Sequence, residues 1–348
     1  EEFMKIYTPF FILLLIFLSK FFLLKFKLLL SNTGDQHQNF ITKANVPLVG
    51  GLLIFLSFVF IFWDNLTLSL ISFLISIFLL GVFSDIKLII SAKIRLIFQF
   101  VFIFVFFHLS DLRLSETSIE ILDKLNNFDL FNYLFISFCL IILINGSNFI
   151  DGLNGLCLGY YLLITYFIFE NNFNSTILND NKNLIILALS FCVILFYNFS
   201  SKIFIGDNGS YTLAALFGIS LIHIYNENIM SSFYIVLLLW YPCFELLFSM
   251  LRKYKFKKSP MEPDNDHLHH LIFYFFIKKY NLKKLLANNL TSLIILTFNF
   301  TLFNIASIDI YSSNKLCVLI VLSVILYVAL YYKLICWKKL YEKNNKSI

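Results

Sequence analysis

Residues 130–155 read LFNYLFISFCLIILINGSNFIDGLNG, and this stretch decides the class of fold. Residues 130–146 carry no charged side chain and are mostly apolar, which is typical of a membrane-spanning helix. The residues that follow are polar and rich in Asn and Gly, with Asp151 as the one charged residue. The stretch therefore predicts a helix that crosses a membrane and ends in a polar loop.

The rest of the chain repeats this alternation. Of the 348 residues, 59% are hydrophobic and 14% are charged, whereas soluble domains contain about 45–50% apolar and about 25% charged residues. We expect an all-α, polytopic integral membrane protein with a single transmembrane domain over residues 1–348. Eleven apolar runs are long enough to span a membrane, at about 8–30, 46–63, 67–83, 94–110, 130–146, 153–169, 183–199, 209–225, 231–250, 285–308 and 316–336.

The lysines and arginines predict the orientation of these helices. With eleven spans the termini lie on opposite sides, and one set of loops carries 19 Lys and Arg residues against 5 in the other set. Basic residues accumulate in cytoplasmic loops, so we expect the N-terminus outside and the C-terminus in the cytoplasm. The net charge of +6 is then explained by basic residues in the loops on the cytoplasmic side and by their contact with membrane lipids. We therefore expect no nucleic acid partner.

Five polar segments fall on the predicted cytoplasmic side although they are far apart in sequence. A structural protein has no need of such a distribution, whereas an active site assembled at the ends of several helices explains it. The segments are residues 46–51, 84–85, 145–154, 206–210 and 264–270.

Asn145, Asn148 and Asp151 recur at three-residue spacing between the fifth and sixth spans. On a helical turn they would share a face. Carboxylate and amide oxygens are suitable ligands for Mg²⁺, and amides also bind nucleobases and sugars. The alternative is a polar helix end in which Asn and Asp act only as caps.

Residues 206–210 read GDNGS and precede the eighth span. A carboxylate at a helix start, here Asp207, is able to hold Mg²⁺ while free backbone N–H groups face a phosphate. A simple helix cap is again the alternative.

Three of the six histidines, His267, His269 and His270, lie within the segment DNDHLHH at 264–270. This segment belongs to a predicted cytoplasmic loop at about 251–285, after a run of lysines. Contact with phosphates is one interpretation. A zinc site and a solvated loop without function are the other interpretations. The zinc site is disfavoured because the segment has no His-Glu-x-x-His pattern and no cysteine partner.

Taken together and in this order, the Asn-x-x-Asn-x-x-Asp-Gly, Gly-Asp-x-Gly-Ser and Asp-x-x-His-Leu-His-His segments resemble the polyprenyl-phosphate N-acetylhexosamine-1-phosphate transferase family. That family includes bacterial enzymes that start lipid-linked glycans such as O-antigen, and the peptidoglycan phospho-MurNAc-pentapeptide translocase. The resemblance covers roughly residues 35–275. Eleven spans and a cytoplasmic site are similar to the bacterial glycan-initiating branch.

The resemblance implies transfer of an N-acetylhexosamine 1-phosphate from a UDP-sugar to undecaprenyl phosphate, with release of UMP. It implies Mg²⁺, with Mn²⁺ as the alternative, bound by Asp207 and Asn148. Asp151 would help to hold the uridine nucleotide, and Asn145 would support its loop. The expected location is the bacterial inner (cytoplasmic) membrane with the site on the cytoplasmic face, and a homodimer agrees with the analogy.

The same resemblance assigns the remaining candidates. Asp85 would belong to an acidic pair near the lipid phosphate, and the three histidines would contact the sugar or the phosphates. The catalytic candidates are therefore Asp85, Asp151, Asp207, His267, His269 and His270, and the further substrate-binding candidates are Asn145, Asn148, Lys93 and Arg95.

Four positions depart from the family pattern. Ser84 stands where the first residue of the acidic pair is usual, Asn154 replaces a common Asp, Asn265 stands where Arg is frequent, and Leu48 replaces a frequent Arg. None of them removes a residue expected to hold the metal, so we expect an active enzyme. Because of Ser84 and Leu48, a catalytically inactive family member that acts as a scaffold is an alternative function. A transporter or flippase is a further alternative, although it would place polar residues near mid-membrane in broken helices.

Overall fold

The computed structural model describes residues 5–26, 46–89, 91–117, 119–173, 175–178, 180–255, 257 and 266–346. These residues form thirteen α-helices and no β-strand, which confirms the all-α prediction. In chain order the helices are Thr8–Phe26 (α1), Gly50–Phe62 (α2), Leu68–Asp85 (α3), Ala92–Ser110 (α4), Glu120–Asn126 (α5), Asp129–Ile150 (α6), Leu156–Glu170 (α7), Asn181–Phe199 (α8), Gly206–Glu227 (α9), Ser232–Lys255 (α10), Leu268–Tyr280 (α11), Lys284–Ser307 (α12) and Ser313–Lys346 (α13).

Each of the eleven apolar runs coincides with one of these helices, and α5 and α11 lie outside the runs. Seven helices are long and apolar enough to cross a membrane, namely α3, α4, α6, α8, α10, α12 and α13. This agrees with a multi-pass membrane protein. The count of eleven spans and their orientation stay predictions.

Two helices are shorter than the apolar runs that predict them. The helix α2 has 13 residues and α7 has 15, so each is about 20 Å long, less than the about 30 Å of a hydrocarbon core. Residues 46–49 are not helical because they pair with another loop. The Pro47 carbonyl accepts the Phe204 N–H at 2.9 Å, and the Gly50 N–H donates to the Phe204 carbonyl at 2.9 Å.

The helix α9 lies at the centre of the bundle and packs against α2, α3, α6, α7 and α10. Two glycines allow this close packing at its first turn. A Cβ atom at Gly51 would overlap the Asn208 amide oxygen, and one at Gly81 would overlap the Asn208 backbone. The start of α9 is therefore held directly between α2 and α3.

The polar segments meet at one end of the bundle, which we call the motif end. It contains the last residues of α3 and α6 and the first residues of α9, α11 and α12. The region at 251–285 is more helical than expected, since it includes the end of α10 and the whole of α11. Asp264 and Asn265 of the histidine segment lie outside the described residues.

Candidate active site

Asp207 lies in the first turn of α9, where side chains from three other helices contact its carboxylate. Arg95 of α4 forms an ion pair with its Oδ2 at 2.9 Å, and the Ser84 hydroxyl of α3 donates to the same oxygen. The Asn148 amide of α6 donates to Oδ1 at 2.6 Å. The Asp207 side chain is 26% exposed and that of Arg95 is 24% exposed, so the pair remains accessible from outside.

Asp85, the last residue of α3, binds the same turn of α9 from a different side. Its carboxylate accepts the backbone N–H of Asp207 at 2.9 Å, the N–H of Asn208 at 3.1 Å and the Asn208 side-chain amide at 2.6 Å. The first N–H groups of a helix have no partner within the helix, and a negative charge there is favourable. Asp85 therefore caps α9 from a neighbouring helix.

Asp151 follows the last residue of α6 and also faces the start of α9, because its carboxylate accepts the backbone N–H of Gly206. Gly206 has φ of 76°, a conformation that favours glycine. Burial, and next the nearby carboxylates of Asp207 and Asp85, raise the pKa of Asp151 well above its usual range. Three carboxylates thus converge at one helix N-terminus.

The histidine segment joins this cluster through the glycine next to Asp151. A Cβ atom at Gly152 would lie 2.7 Å from His270 Nε2 and 3.2 Å from His269 Nε2. The His267 ring packs edge-on against Phe149, with ring centroids 4.9 Å apart. All three histidines are buried. The three motifs, which are more than 50 residues apart in sequence, therefore form one continuous site.

Two candidates lie beside this cluster. The Asn145 amide donates to Gln99 Oε1 at 2.7 Å and to the Ile141 carbonyl at 2.9 Å, so it ties α6 to α4 one turn away from Asn148. Lys93 shares the first turn of α4 with Arg95, and its side chain is exposed. Asn145 therefore supports the helix that carries Asn148.

The side-chain amide, the backbone N–H and the carbonyl of Asn154 all form hydrogen bonds within the protein. Its amide donates to the Ser201 hydroxyl at 2.8 Å, its N–H donates to Asn288 Oδ1 at 3.2 Å, and its carbonyl accepts the Ser292 hydroxyl at 2.8 Å. These contacts attach the loop after α6 to α12 and to the loop before α9. The Asn at this position serves to hold the loop in place.

Sequence reasoning missed two buried charged residues on α10. Glu245 is 1% exposed and contacts His267. The sequence did contain a signal for a functional residue here, because Glu245 is a lone acidic residue inside an apolar run. Lys253 belongs to the run of lysines that precedes the histidine segment. Its side chain is buried, with the ammonium 5.9 Å from the centre of the Phe149 ring.

The groups in this cluster are of the kinds that could hold a hard cation and contact phosphates. Asp207 and Asn148 supply carboxylate and amide groups, and an amide presents either its nitrogen or its oxygen. Among the described residues no three His, Cys, Asp or Glu side chains are grouped to hold a metal ion by themselves. Mg²⁺ is usually bound by one or two carboxylates together with substrate phosphates, so it does not require such a group.

Comparisons with known proteins identify a matching family model and three relatives. The sequence model described as Glycosyl transferase family 4 matches residues 67–225. The chain is 27% identical over 234 residues to the undecaprenyl-phosphate alpha-N-acetylglucosaminyl 1-phosphate transferase of Thermotoga maritima, covering 65% of this chain and 67% of that protein. It is 28% identical over 245 residues to the probable undecaprenyl-phosphate N-acetylglucosaminyl 1-phosphate transferase of Bacillus subtilis, covering 66% of each.

A third relative is the decaprenyl-phosphate N-acetylglucosaminephosphotransferase of Mycolicibacterium smegmatis, at 28% identity over 152 residues and 37% of each chain. The chain thus spans about two thirds of the length of the first two relatives. The family match includes Asp85, Arg95, Asn148, Asp151 and Asp207 and ends before the histidine segment. These matches and the motifs support the polyprenyl-phosphate N-acetylhexosamine-1-phosphate transferase family, to which the chain is similar through the glycosyl transferase family 4 region at residues 67–225.

Proposed function

We propose that this protein transfers an N-acetylhexosamine 1-phosphate from a UDP-sugar to undecaprenyl phosphate, with release of UMP, and so initiates a lipid-linked cell-envelope glycan such as O-antigen or capsule. The observation that carries the proposal is the convergence of three distant motifs. Asn148 donates to Asp207, and Gly152, four residues further on, lies against His269 and His270. Such a site places carboxylates, amides and imidazoles around one small volume at the end of a membrane bundle.

The residues present fit a bound Mg²⁺. Asp207 and Asn148 would hold it, because both offer hard oxygen atoms and Asp207 remains partly exposed. The carboxylates of Asp85, Asp151 and Asp207 meet at the N-terminus of α9, and a cation bound there would reduce their mutual repulsion. When bound, the metal supplies charge neutralisation on the diphosphate of the sugar donor. Mn²⁺ has the same ligand preference and is the alternative.

The proposed reaction is a phosphoryl transfer. An oxygen of the lipid phosphate forms a bond to the sugar-linked phosphorus of the donor, and the bond from that phosphorus to the bridging oxygen breaks. UMP leaves with the electron pair of that bond. A lipid phosphate is largely anionic near pH 7, so the site does not require a strong general base. Positioning and charge neutralisation supply most of the acceleration in reactions of this type.

The side chains of the cluster have different roles in this proposed reaction. Arg95 supplies a positive charge beside Asp207, where it is able to pair with a substrate phosphate. The buried His267, His269 and His270 offer ring nitrogens to the phosphates or the sugar. Asp85 holds the start of α9, and with it Asp207, in place.

The names of the relatives and the charge distribution support the substrate and the location. All three relatives are named for N-acetylglucosamine, so UDP-N-acetylglucosamine is the first donor to test. The excess of basic residues in the motif-bearing loops supports a site on the cytoplasmic face of a bacterial inner membrane.

The decisive experiment measures UMP release by the purified full chain with undecaprenyl phosphate, Mg²⁺ and a panel of UDP-N-acetylhexosamines. We expect release that requires the metal, the lipid phosphate and one preferred sugar. Binding of the nucleotide sugar without release for any donor would contradict the transferase and favour a non-catalytic scaffold. Movement of a substrate across liposomes without UMP would favour a transporter.

A further inference from the structure

The helix α10 carries one acidic side chain in the middle of its apolar sequence. Glu245 lies between Phe244 and Leu246 and is 1% exposed. Burial of an ionised carboxylate is costly unless hydrogen-bond donors surround it. An acidic residue within a membrane-spanning helix is therefore expected to have a specific partner and a function.

The partner of Glu245 is the beginning of α11. The carboxylate oxygen Oε1 lies 3.0 Å from His267 Nδ1 and accepts the backbone N–H of Leu268 at 3.2 Å. The other oxygen, Oε2, lies 4.0 Å from His269 Nδ1. One buried carboxylate thus binds the residue before α11 and the first residue of α11.

These contacts have two physical consequences. Where the Glu245 carboxylate is ionised it only accepts hydrogen bonds, and the 3.0 Å contact then requires a proton on His267 Nδ1 and leaves the lone pair of a neutral ring on Nε2. The Leu268 N–H is one of the helix donors that have no partner inside α11, and Glu245 satisfies it from another helix. Its negative charge is also favourable at a helix N-terminus.

The position of this turn decides where the histidines lie. His269 and His270 belong to the first turn of α11 and lie against Gly152, while His267 packs on Phe149. Phe149 lies two residues before Asp151, and Gly152 directly follows it. A small shift of the α11 N-terminus would therefore move three imidazoles relative to the carboxylate cluster.

We propose that Glu245 is a positioning residue, which through its hydrogen bonds to His267 Nδ1 and the Leu268 N–H holds the first turn of α11 and its histidines against the loop that carries Asp151. This role rests on the proposed transferase function only for its effect on catalysis. The effect on the His267 ring and on α11 is a property of the folded chain. Glu245 itself does not touch the reacting atoms.

The test compares a substitution that removes the hydrogen-bond acceptors with one that keeps an acceptor. Glu245→Leu removes both acceptor oxygens, whereas Glu245→Gln keeps one amide oxygen that is able to accept from both donors. We expect Leu to lower kcat/KM for UMP release by about 100-fold, the scale of a misplacement of about 1 Å, and Gln to stay within about threefold of the unaltered chain. Equal losses in the two variants would overturn the acceptor role.

A spectroscopic measurement makes the test independent of turnover. In the full chain labelled with ¹⁵N-histidine, long-range ¹H–¹⁵N correlations report which ring nitrogen of His267 is protonated. We expect the Nδ1–H form in the unaltered chain and in Glu245→Gln, and a mixed or Nε2–H form in Glu245→Leu. The Nε2–H form in the unaltered chain, or an unchanged ring in Glu245→Leu, would overturn the proposal.

Glu227 provides a matched control at the opposite end of the bundle. It is also paired with a histidine, since its Oε1 lies 3.6 Å from His223 Nδ1. We expect Glu227→Leu to leave UMP release and the His267 signal unchanged. If the unaltered chain releases no UMP with any donor, the transferase proposal fails and the His267 signals alone decide the role of Glu245. If the chain is active and Glu245→Leu keeps full activity, the positioning role fails and the transferase stands.

Discussion

The carboxylate of Asp85 binds the backbone of Asp207, accepting its N–H at 2.9 Å. The carboxylates of Asp85 and Asp207 therefore do not act as equivalent partners. One caps the helix that presents the other, and Ser84, next to Asp85, donates its hydroxyl to the Asp207 carboxylate. Asp85 thus supports the turn that presents Asp207, the residue that we propose as a metal ligand.

Replacing Asp85 is expected to weaken the start of α9. Asp85→Ala removes the acceptor of two backbone N–H groups, so we expect the free energy of unfolding to fall by about 1–2 kcal/mol. UMP release should fall as well, because Asp207 is no longer held in place. Thermal unfolding in detergent and the UMP assay measure the two effects. The control is Asp309→Ala, which changes a half-buried residue paired with Lys315 at the other end of the bundle. An unchanged unfolding midpoint for Asp85→Ala would contradict the cap.

Asp207 is expected to be needed for activity and not for folding. Asp207→Asn keeps the size of the side chain and removes its charge, so we expect UMP release to fall by about 100- to 1000-fold. The chain should still insert and purify as before. The control is Asp309→Asn, which makes the same chemical change away from the motif end. Full activity of Asp207→Asn would contradict the assignment of Asp207 to the metal.

Ser84 is expected to be of minor importance, although it stands where an acidic residue is usual in the family. Ser84→Ala removes one hydrogen bond to Asp207, which still has Arg95 and Asn148 as partners. We therefore expect UMP release to fall by less than about tenfold, the change that corresponds to about 1.4 kcal/mol. Steady-state kinetics of the variant provide the check. A loss as large as that of Asp207→Asn would assign Ser84 an essential role.

Gly152 is expected to tolerate no side chain without loss of activity. In Gly152→Ala the added Cβ would lie 2.7 Å from His270 Nε2, so the histidine rings must move. We expect about a tenfold or greater loss of UMP release with little change in the unfolding midpoint. Gly218→Ala is the comparison, because its Cβ would overlap Leu140 inside the bundle and should lower stability instead. Unchanged activity in Gly152→Ala would place the histidines outside the reacting region.

Asn154 is expected to contribute to stability. Asn154→Ala removes the amide that donates to Ser201 in a buried setting, so we expect a loss of about 1–3 kcal/mol in the free energy of unfolding. Denaturation monitored by the intrinsic tryptophans provides the measurement. Asn304→Ala is the matched control, because the Asn304 amide donates to the carbonyl of Phe300 in its own helix. Equal stability of the two variants would show that the Asn154 contacts are dispensable.

The helices were largely predictable from sequence, and their ends were not. The run at 130–146 predicted α6, but α6 continues to Ile150 and includes Asn148, since Asn and Ser are tolerated in a last helical turn. The run at 46–63 also overestimated α2, because Pro47 and Gly50 pair with Phe204, more than 150 residues away. Local patterns carry no information about such distant partners.

The amino-acid sequence alone was enough to predict a helical, membrane-embedded chain, because the thickness of a hydrocarbon layer sets the length of the apolar runs that cross it. It also indicated most of the polar residues that are candidates for chemistry, because polar segments at the ends of several spans fall on one predicted side. Only the tertiary structure decided their partners: Asp85 with the start of α9, Asn154 with α12, and Glu245 with His267. The physical reason is that a hydrogen bond depends on distances of about 3 Å between side chains, and these are set by the packing of helices from distant parts of the chain.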